Sequence, residues 1–274
     1  MGLVLANSRF PIPQIFNTLE KLFVRFSDGI VLSQGNLAAC AVHFGEKIVK
    51  EKPVVQVLNV PPIENPPESF RMPKGSPLRV LVSGYISPPR GARLIIDNFR
   101  NRDDIYFDVV GDIRYSDIEK SFREMSNARV HGLISYEDSL RRFDEADLIW
   151  LHYDPSLKNV AIASSNKMFE GMMFAKPYVT ADGCWMADMA NKYNIGWSVP
   201  YGDVNSLTEL WSRLNRNPKE LEAAGMAARE CYLRFFRWQD QRDNLLRMYR
   251  EVMGFSQPVQ IAKGWDKFIG QKPF

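Results

Sequence analysis

From Leu78 onward the chain alternates short apolar runs with stretches whose apolar residues recur every three or four positions, the two rhythms of strands and amphipathic helices. Residues 78–83 predict a strand, 92–99 a helix and 105–110 the next strand. The pattern continues with a helix near 117–125, a short strand at 129–130, a helix over 136–145 and a strand over 147–152. A helix opening at Ser164 and Ser165, a strand over 178–181, a helix near 186–192 and a strand at 197–199 complete it. Such alternation predicts an α/β fold with a doubly wound parallel sheet covered on both faces.

Helices then take over. Ser206 and Glu209 have the spacing of a capping box, and Leu207, Leu210, Trp211 and Leu214 form the stripe to be buried behind it. A second helix is expected from Pro218 to about Arg234, and a third over 239–252 with Leu245, Leu246, Met248, Tyr249 and Val252. Residues 255–274, with Phe255, Trp265, Phe268 and Phe274, have no period and either dock as an extended tail or stay mobile. Before Leu78 the rhythm is shorter: a helix over 14–25, a strand at 29–32, a helix near 37–44 and a strand at 54–58. Two strands do not make a self-sufficient sheet. The expected organisation is therefore an incomplete α/β portion over 1–60, a Pro-rich linker over 61–77, the main domain over 78–254 and the tail.

Candidate chemistry concentrates in Ser164-Ser165-Asn166-Lys167-Met168-Phe169-Glu170, a helix start that runs on to Lys176-Pro177. At about 100° per residue, Met168, Phe169, Met172 and Met173 share an arc that packs, while Asn166, Lys167, Glu170 and Gly171 share the opposite arc, which looks out. Unpaired N–H groups and the positive end of the helix dipole favour an anion there, and Lys167 adds a full charge. Glu170, one turn deeper, would repel a phosphate and suits a hydroxyl pair such as a ribose. From these residues alone the plainer reading, an amphipathic helix with a solvated Lys167–Glu170 pair, stands ahead.

Composition narrows the class. With 274 residues, 45% hydrophobic and 12% aromatic, the chain can bury one large core or two modest ones. The net charge of +3, from 35 basic and 32 acidic residues, is too balanced to argue for nucleic acid, so contacts with anions must be local. Cys40, Cys184 and Cys231 show no paired spacing, and His43, His131 and His152 lack metal-ligand spacing, which points to a reducing compartment without structural zinc. No basic leader precedes the opening apolar residues and no apolar run approaches a membrane span. The expected location is the cytoplasm, with membrane contact at most peripheral, at the inner face.

The order of short motifs carries a resemblance. Arg79-Val-Leu-Val-Ser-Gly84, Pro89-Arg90-Gly91, Phe107-Asp-Val-Val-Gly111, His131-Gly132-Leu133-Ile134-Ser135-Tyr136-Glu137, Ala146-Asp147, Tyr153-Asp154-Pro155, Ser165-Asn166-Lys167-Met-Phe-Glu170 and Gly196-Trp-Ser-Val-Pro200-Tyr-Gly202-Asp203 follow one another in that order. The succession resembles the Rossmann-like donor half of a GT-B glycosyltransferase, and more closely the retaining enzymes of family GT4. Ala227-Ala228-Arg229, Phe236-Arg237-Trp238 and Leu246-Arg-Met-Tyr249 resemble that family's last helices, so the likeness covers roughly 78–253. Upstream, Ser27-Asp28-Gly-Ile-Val-Leu-Ser33 and the turn Leu58-Asn59-Val60-Pro61 resemble the end of its first domain.

The resemblance implies a transferase that takes a nucleotide-diphosphate sugar as donor and passes the sugar to a glycan, lipid or small-molecule acceptor. It places Gly84 among the donor-binding residues and Arg90 at the diphosphate, where a guanidinium fork suits phosphate. It assigns the base to the backbone of Leu133 and Ile134, the diphosphate to the amides of Ser165, Asn166 and Lys167, and the ribose to Glu170. It assigns no catalytic residue, and it implies neither metal nor cofactor, because arginine, lysine and helix dipoles neutralise the leaving nucleotide. Ile162 stands where many such enzymes have a second glutamate, and Tyr85 where they have a second basic residue. Against the resemblance, most of an acceptor domain is expected to be missing from these residues, which leaves half of the interdomain cleft. This implies either a transferase that is part of a longer or split enzyme or has a reduced acceptor region, or a non-catalytic binding or partner subunit. Elsewhere, His131 reads as a strand-end residue, Tyr153-Asp154-Pro155 as a turn, and Arg229, Arg234, Phe235, Phe236, Arg237 and Trp238 as helix packing rather than a membrane contact.

Overall fold

The computed structural model of the protein describes residues 12–33, 35, 44–72, 74 and 76–254. Its elements, in chain order, are α1 (Ile12–Phe26), β1 (Ile30–Leu32), α2 (Glu46–Glu51), β2 (Val54–Gln56), β3 (Leu78–Ile86), α3 (Ala92–Phe99), β4 (Ile105–Ile113), α4 (Ser116–Arg123), β5 (Ala128–Gly132) and α5 (Tyr136–Glu145). There follow β6 (Leu148–Leu151), α6 (Lys158–Ile162), α7 (Asn166–Met173), β7 (Tyr178–Ala181), α8 (Trp185–Tyr193), β8 (Gly196–Val199), α9 (Val204–Arg216), α10 (Pro218–Phe235) and α11 (Trp238–Val252). The expected helix near 37–44 lies outside the described residues except for Phe44, as do Cys40, His43 and the 255–274 tail. The described chain forms two compact units, one up to Leu58 and from Asp240, the other Asn59–Gln239.

In the smaller unit β1 and β2 pair in parallel, Ile30 opposite Val54. The C-terminal helix comes so close that a Cβ built on Gly29 would stand 2.4 Å from Met248 Cε. Of the residues expected to pack on α11, Met248 is buried, whereas Leu246 and Tyr249 are exposed and Gln241 and Asn244 are buried in their place. The reason is polar: the Leu58 amide donates to Gln241 Oε1 at 2.8 Å, so a glutamine serves a backbone group that a leucine would leave unpaired.

The larger unit holds a six-stranded, wholly parallel sheet in the order β5-β4-β3-β6-β7-β8. The strand order reverses between β3 and β6, the place where doubly wound sheets open a crevice beyond the carboxyl ends of their strands. The helical period of 92–99 is realised as expected, with Ala92, Ile95, Ile96 and Phe99 buried one turn apart. Phe99 meets Trp211 edge to face at 6.1 Å, and Leu207, Leu210, Trp211 and Leu214 are all buried. The capping box is not the one the spacing suggested. Helix α9 starts at Val204, its cap is Asp203, and Ser206 donates both its amide, at 3.1 Å, and its hydroxyl, at 2.7 Å, to the Asp203 carboxylate. An aspartate accepts two donors at once and so displaces a serine as the cap.

The Pro-rich segment is fastened at several points: Arg71 N donates to Asp144 Oδ1 at 2.8 Å, the Lys176 ammonium donates to the Arg71 carbonyl, and Arg229 donates to Met173 O and, at 2.6 Å, to Pro67 O. Arg229 and Phe236 are buried, and Phe236 lies 5.0 Å from Phe169, so this part of the basic-aromatic cluster packs within the unit. Lys176 is fully buried, and loss of hydration pulls its ammonium down to about 8 from its ordinary 10.5, against the opposing pull of Asp144 and Asp147. Between those values the unfolded chain keeps a proton that the folded chain gives up, so this group adds stability as pH rises from 8, on the order of 3 kcal/mol by 10.5. The Cys231 thiol, raised by burial to about 12 from 9.0, works in the opposite sense from pH 9.0 upward, the upper part of that range. Urea unfolding of wild type and Lys176→Met across this range isolates the lysine: the wild type should gain on the variant as pH rises, and a constant difference would refute the assignment.

Candidate functional site

The site is built on the reversal point of the sheet. After β3 the chain turns through Pro88–Arg90, and each carbonyl of that turn is held by a donor. Pro88 O accepts Gly91 N at 2.9 Å and Tyr201 Oη at 3.4 Å, Pro89 O accepts Asp154 N at 2.8 Å, and Arg90 O accepts Trp150 Nε1 at 3.0 Å. Gly91 lets the turn lie against β6: its φ is +81°, and a Cβ there would stand 2.8 Å from the Trp150 ring and 2.9 Å from His152 O. His152 is buried and neutral, its titration lowered by loss of hydration; Nε2 accepts Gly202 N at 3.3 Å and the ring stacks on Tyr201 at 5.3 Å. Arg90 therefore leaves a loop whose backbone is tied to β6 and to the loop after β8.

Opposite it stands α7. Ser165 is its cap, accepting Lys167 N at 3.3 Å, and Asn166 is exposed at the first turn. Between the two lies Gly84, with φ +103°; a Cβ built on it would be 3.5 Å from Lys167 Cε and 3.8 Å from Arg90 Nη1. The absent side chain thus marks a spot on which two cations converge. Beneath it Lys167 Nζ donates to Glu170 Oε2 at 2.8 Å. Glu170 is 5% exposed; burial raises its carboxyl above the ordinary range and the Lys167 ammonium draws it back down in part. Among the described residues no second protein donor meets this carboxylate.

Two features differ from the sequence reading. Glu170 and Gly171, assigned to the arc that looks out, are both buried, and a Cβ on Gly171 would stand 2.7 Å from Ile149 Cγ1. Helix α7 packs on β6, α5 and α10, so beyond its first turn both arcs are covered. The Lys167–Glu170 pair exists, yet with side-chain exposures of 23% and 6% it is a partly buried pair, not a solvated one. The second feature is aromatic. Tyr153 is buried under Arg90, 5.1 Å from its Cζ; burial raises its hydroxyl, and the Arg90 charge and the neighbouring Ser165 lower it. It connects the arginine loop to the helix start. Its signal in the sequence was its position directly after an apolar strand, masked by the Asp154-Pro155 turn that does follow, where Ser156 N donates to Asp154 Oδ1 at 2.9 Å.

Leu133 and Ile134 lie on the loop from β5 into α5, Leu133 80% exposed and Ile134 half-buried. Ser135 caps α5 by accepting Asp138 N at 3.1 Å, and the next residue, Tyr136, is close enough to Glu170 for that carboxylate to help burial push its hydroxyl up to about 12. His131, upstream on β5, is held at 2.8 Å by Asp108, which Arg79 also pairs at 3.1 Å, so it is a sheet residue. The structure thus gathers Gly84, Arg90, Ser165, Lys167 and Glu170 closely, and sets Leu133 and Ile134 on the loop beside Tyr136. Among the described residues no group of three His, Cys, Asp or Glu is placed to hold a metal ion, and no helix is long and apolar enough to cross a membrane.

A doubly wound parallel sheet of this order is the fold of GT-B glycosyltransferases, and the comparisons agree. Residues 90–247 match the family model described as glycosyl transferase-like, and the chain belongs to that family. Its fold is similar to that of sucrose-phosphate synthase from Thermosynechococcus elongatus, at TM-score 0.66 and 15% identity over 93% of this chain and 66% of that one. A glycosyltransferase from Rickettsia africae aligns at TM-score 0.65 and 15% identity over 90% and 69%. Anabaena HepE, solved with UDP and glucose, aligns at 0.61 and 10% over 86% and 67%. The chain spans 66% of the length of the synthase and 46% of that of the TarM structure. No curated protein sequence matches it.

Proposed function

We propose that the larger unit binds a nucleotide-diphosphate sugar, and that the protein serves as a metal-independent, retaining glycosyltransferase of the GT4 type acting on a glycan, lipid or small-molecule acceptor. One observation carries the donor assignment: Arg90 and Lys167 converge on the bare backbone of Gly84 with a buried carboxylate directly beneath them. A diphosphate over Gly84 would take the Arg90 fork, the Lys167 charge and the amides at the start of α7, which together stabilise the charge that develops as the sugar departs. Glu170 repels that phosphate and suits the ribose hydroxyls. The retaining outcome and the acceptor class rest on the motif order. In solved neighbours of this fold the bound molecules include UDP-glucose, in Anabaena HepE, which makes it the first probe to use.

Calorimetry with UDP-glucose tests the reading, and Arg90→Ala should weaken binding about tenfold or more, the usual cost of losing a charge-assisted bond to phosphate. A folded sample that binds none of the uridine, guanosine or adenosine diphosphate sugars would overturn it. Ile162 favours a second reading. It closes α6 with an apolar side chain where the motif order calls for a carboxylate, as suits a subunit that holds the donor while a partner polypeptide supplies the acceptor domain and the turnover. Nucleotide release coupled to a glycosylated product from this chain alone would exclude that reading.

A further inference from the structure

The cation supply of the proposed donor site is thin. Lys167 divides its charge between a diphosphate and Glu170, 2.8 Å away, so most of a dianionic diphosphate falls to Arg90. Yet Arg90 is not alone on its platform. Tyr85 carries two guanidinium groups, Arg90 with Cζ 5.8 Å from the ring centroid and Arg114 with Cζ 5.4 Å. With Tyr153 below Arg90, the side chains form a ladder of alternating cations and rings, Arg114, Tyr85, Arg90 and Tyr153, that leads from the end of β4 to the cap of α7. Tyr115, close to the Tyr85 hydroxyl, raises its titration.

Arg114 is built to be held loosely. It follows β4, where Asp112 stands opposite Tyr85 in the sheet register, and its Nε donates to Asp112 Oδ2 at 2.7 Å. That bond uses Nε only and leaves both terminal amino groups for a forked contact. The pair is solvent-exposed, at 74% and 38%, and exposed pairs of this kind contribute little, so it yields to a bidentate phosphate oxygen pair. The Tyr85 ring is thus shared by Arg90, whose Nη1 approaches Gly84, and by Arg114. We infer that Arg114 is a second diphosphate-binding cation of the donor site, carried on the Tyr85 ring beside Arg90. This inference rests on the donor reading above.

The test is calorimetry on the full chain with UDP-glucose, inorganic pyrophosphate and uridine. Arg114→Ala should weaken UDP-glucose and pyrophosphate about tenfold and leave uridine unchanged, and the slope of log affinity against log salt should flatten. Arg114→Lys should recover part of the loss, because it restores charge without the fork, and Tyr85→Leu should lose part of it with both arginines intact. Wild-type affinity in Arg114→Ala, with Arg90→Ala impaired, would overturn the inference and leave the donor reading standing. An equal loss for uridine would mark the effect as structural and overturn it too. Failure of wild type to bind UDP-glucose and pyrophosphate would bring down both.

Discussion

Gly111→Ala is expected to unfold the larger unit under conditions in which the wild type is stable. A Cβ at this position would stand 1.9 Å from Gly84 O, 2.8 Å from its carbonyl carbon and 3.0 Å from its nitrogen, all of them backbone atoms of the neighbouring strand. Side-chain ends can swing aside; Gly84 cannot, because it is strand backbone paired in register with Gly111 itself, within a nine-residue ladder between β3 and β4. Residue 111 also sits at φ +133°, which L side chains rarely adopt. Backbone strain of about 1–3 kcal/mol and overpacking of about 1–3 kcal/mol together approach the whole stability of a marginal domain. The control is Gly202→Ala, also at positive φ (+81°) but with nothing within 4 Å of the added carbon, which should cost only about 1–2 kcal/mol. Urea unfolding followed by circular dichroism measures both, and equal losses would show that the strand contact is not what makes Gly111 necessary.

The same two glycines show where the sequence pattern stopped short. Hydrophobic alternation ends the first two strands at Ser83 and Val110, yet both continue through Gly84 and Gly111 to Ile86 and Ile113. Those extra residues carry Tyr85, and they set the height at which Arg90 and Arg114 leave the sheet. Glycine carries no hydropathy signal, so a pattern reading ends where the structure is most constrained. Helices with a regular buried stripe were legible almost to the residue: α3 has the expected bounds and α10 is longer by one residue, while α5, with Phe143 alone buried, also has the expected bounds and opens at a serine cap. Helix α6 was not legible, since Lys158–Ile162 is a single turn with no buried residue and no stripe to detect.

Within the site, residue types were legible and burial was not. The helical wheel places Glu170 opposite Met168 and Phe169, and it knows nothing of β6 and α5, which its neighbours Gly171 and Lys167 meet through Ile149 and Phe143. A charged residue at a covered position is expensive unless it is paired, and Lys167 supplies the pairing. The Arg90 turn was likewise visible as Pro89-Arg90-Gly91, but its rigidity comes from Trp150, Asp154 and Tyr201, whose places in the sequence are remote from it.

Glu170→Gln is the substitution expected to change ligand binding most selectively. Carboxylate Oε2 takes the Lys167 ammonium, which leaves the other oxygen for a donor from outside the protein. Hydroxyl bonds to a charged acceptor are worth about 1.5–3 kcal/mol, so the neutral amide should cost UDP-glucose about tenfold to hundredfold in affinity. The same change releases Lys167, 5.9 Å from the centre of the Phe143 ring, from its counter-charge. Inorganic pyrophosphate should then bind the variant at least as well as it binds the wild type. Burial raises the Glu170 carboxyl above its ordinary value of 4.5, so wild-type affinity for UDP-glucose should fall away on acidification at a higher pH than an exposed carboxylate would give. The decisive ligand is 2′,3′-dideoxyuridine diphosphate, which has the phosphates and lacks both hydroxyls. Wild type and Glu170→Gln should bind it alike, because the partner that distinguishes them is gone. If the variant loses as much affinity for the dideoxy compound as for UDP-glucose, Glu170 acts by holding Lys167 and the helix start in place, and the ribose belongs elsewhere in the crevice.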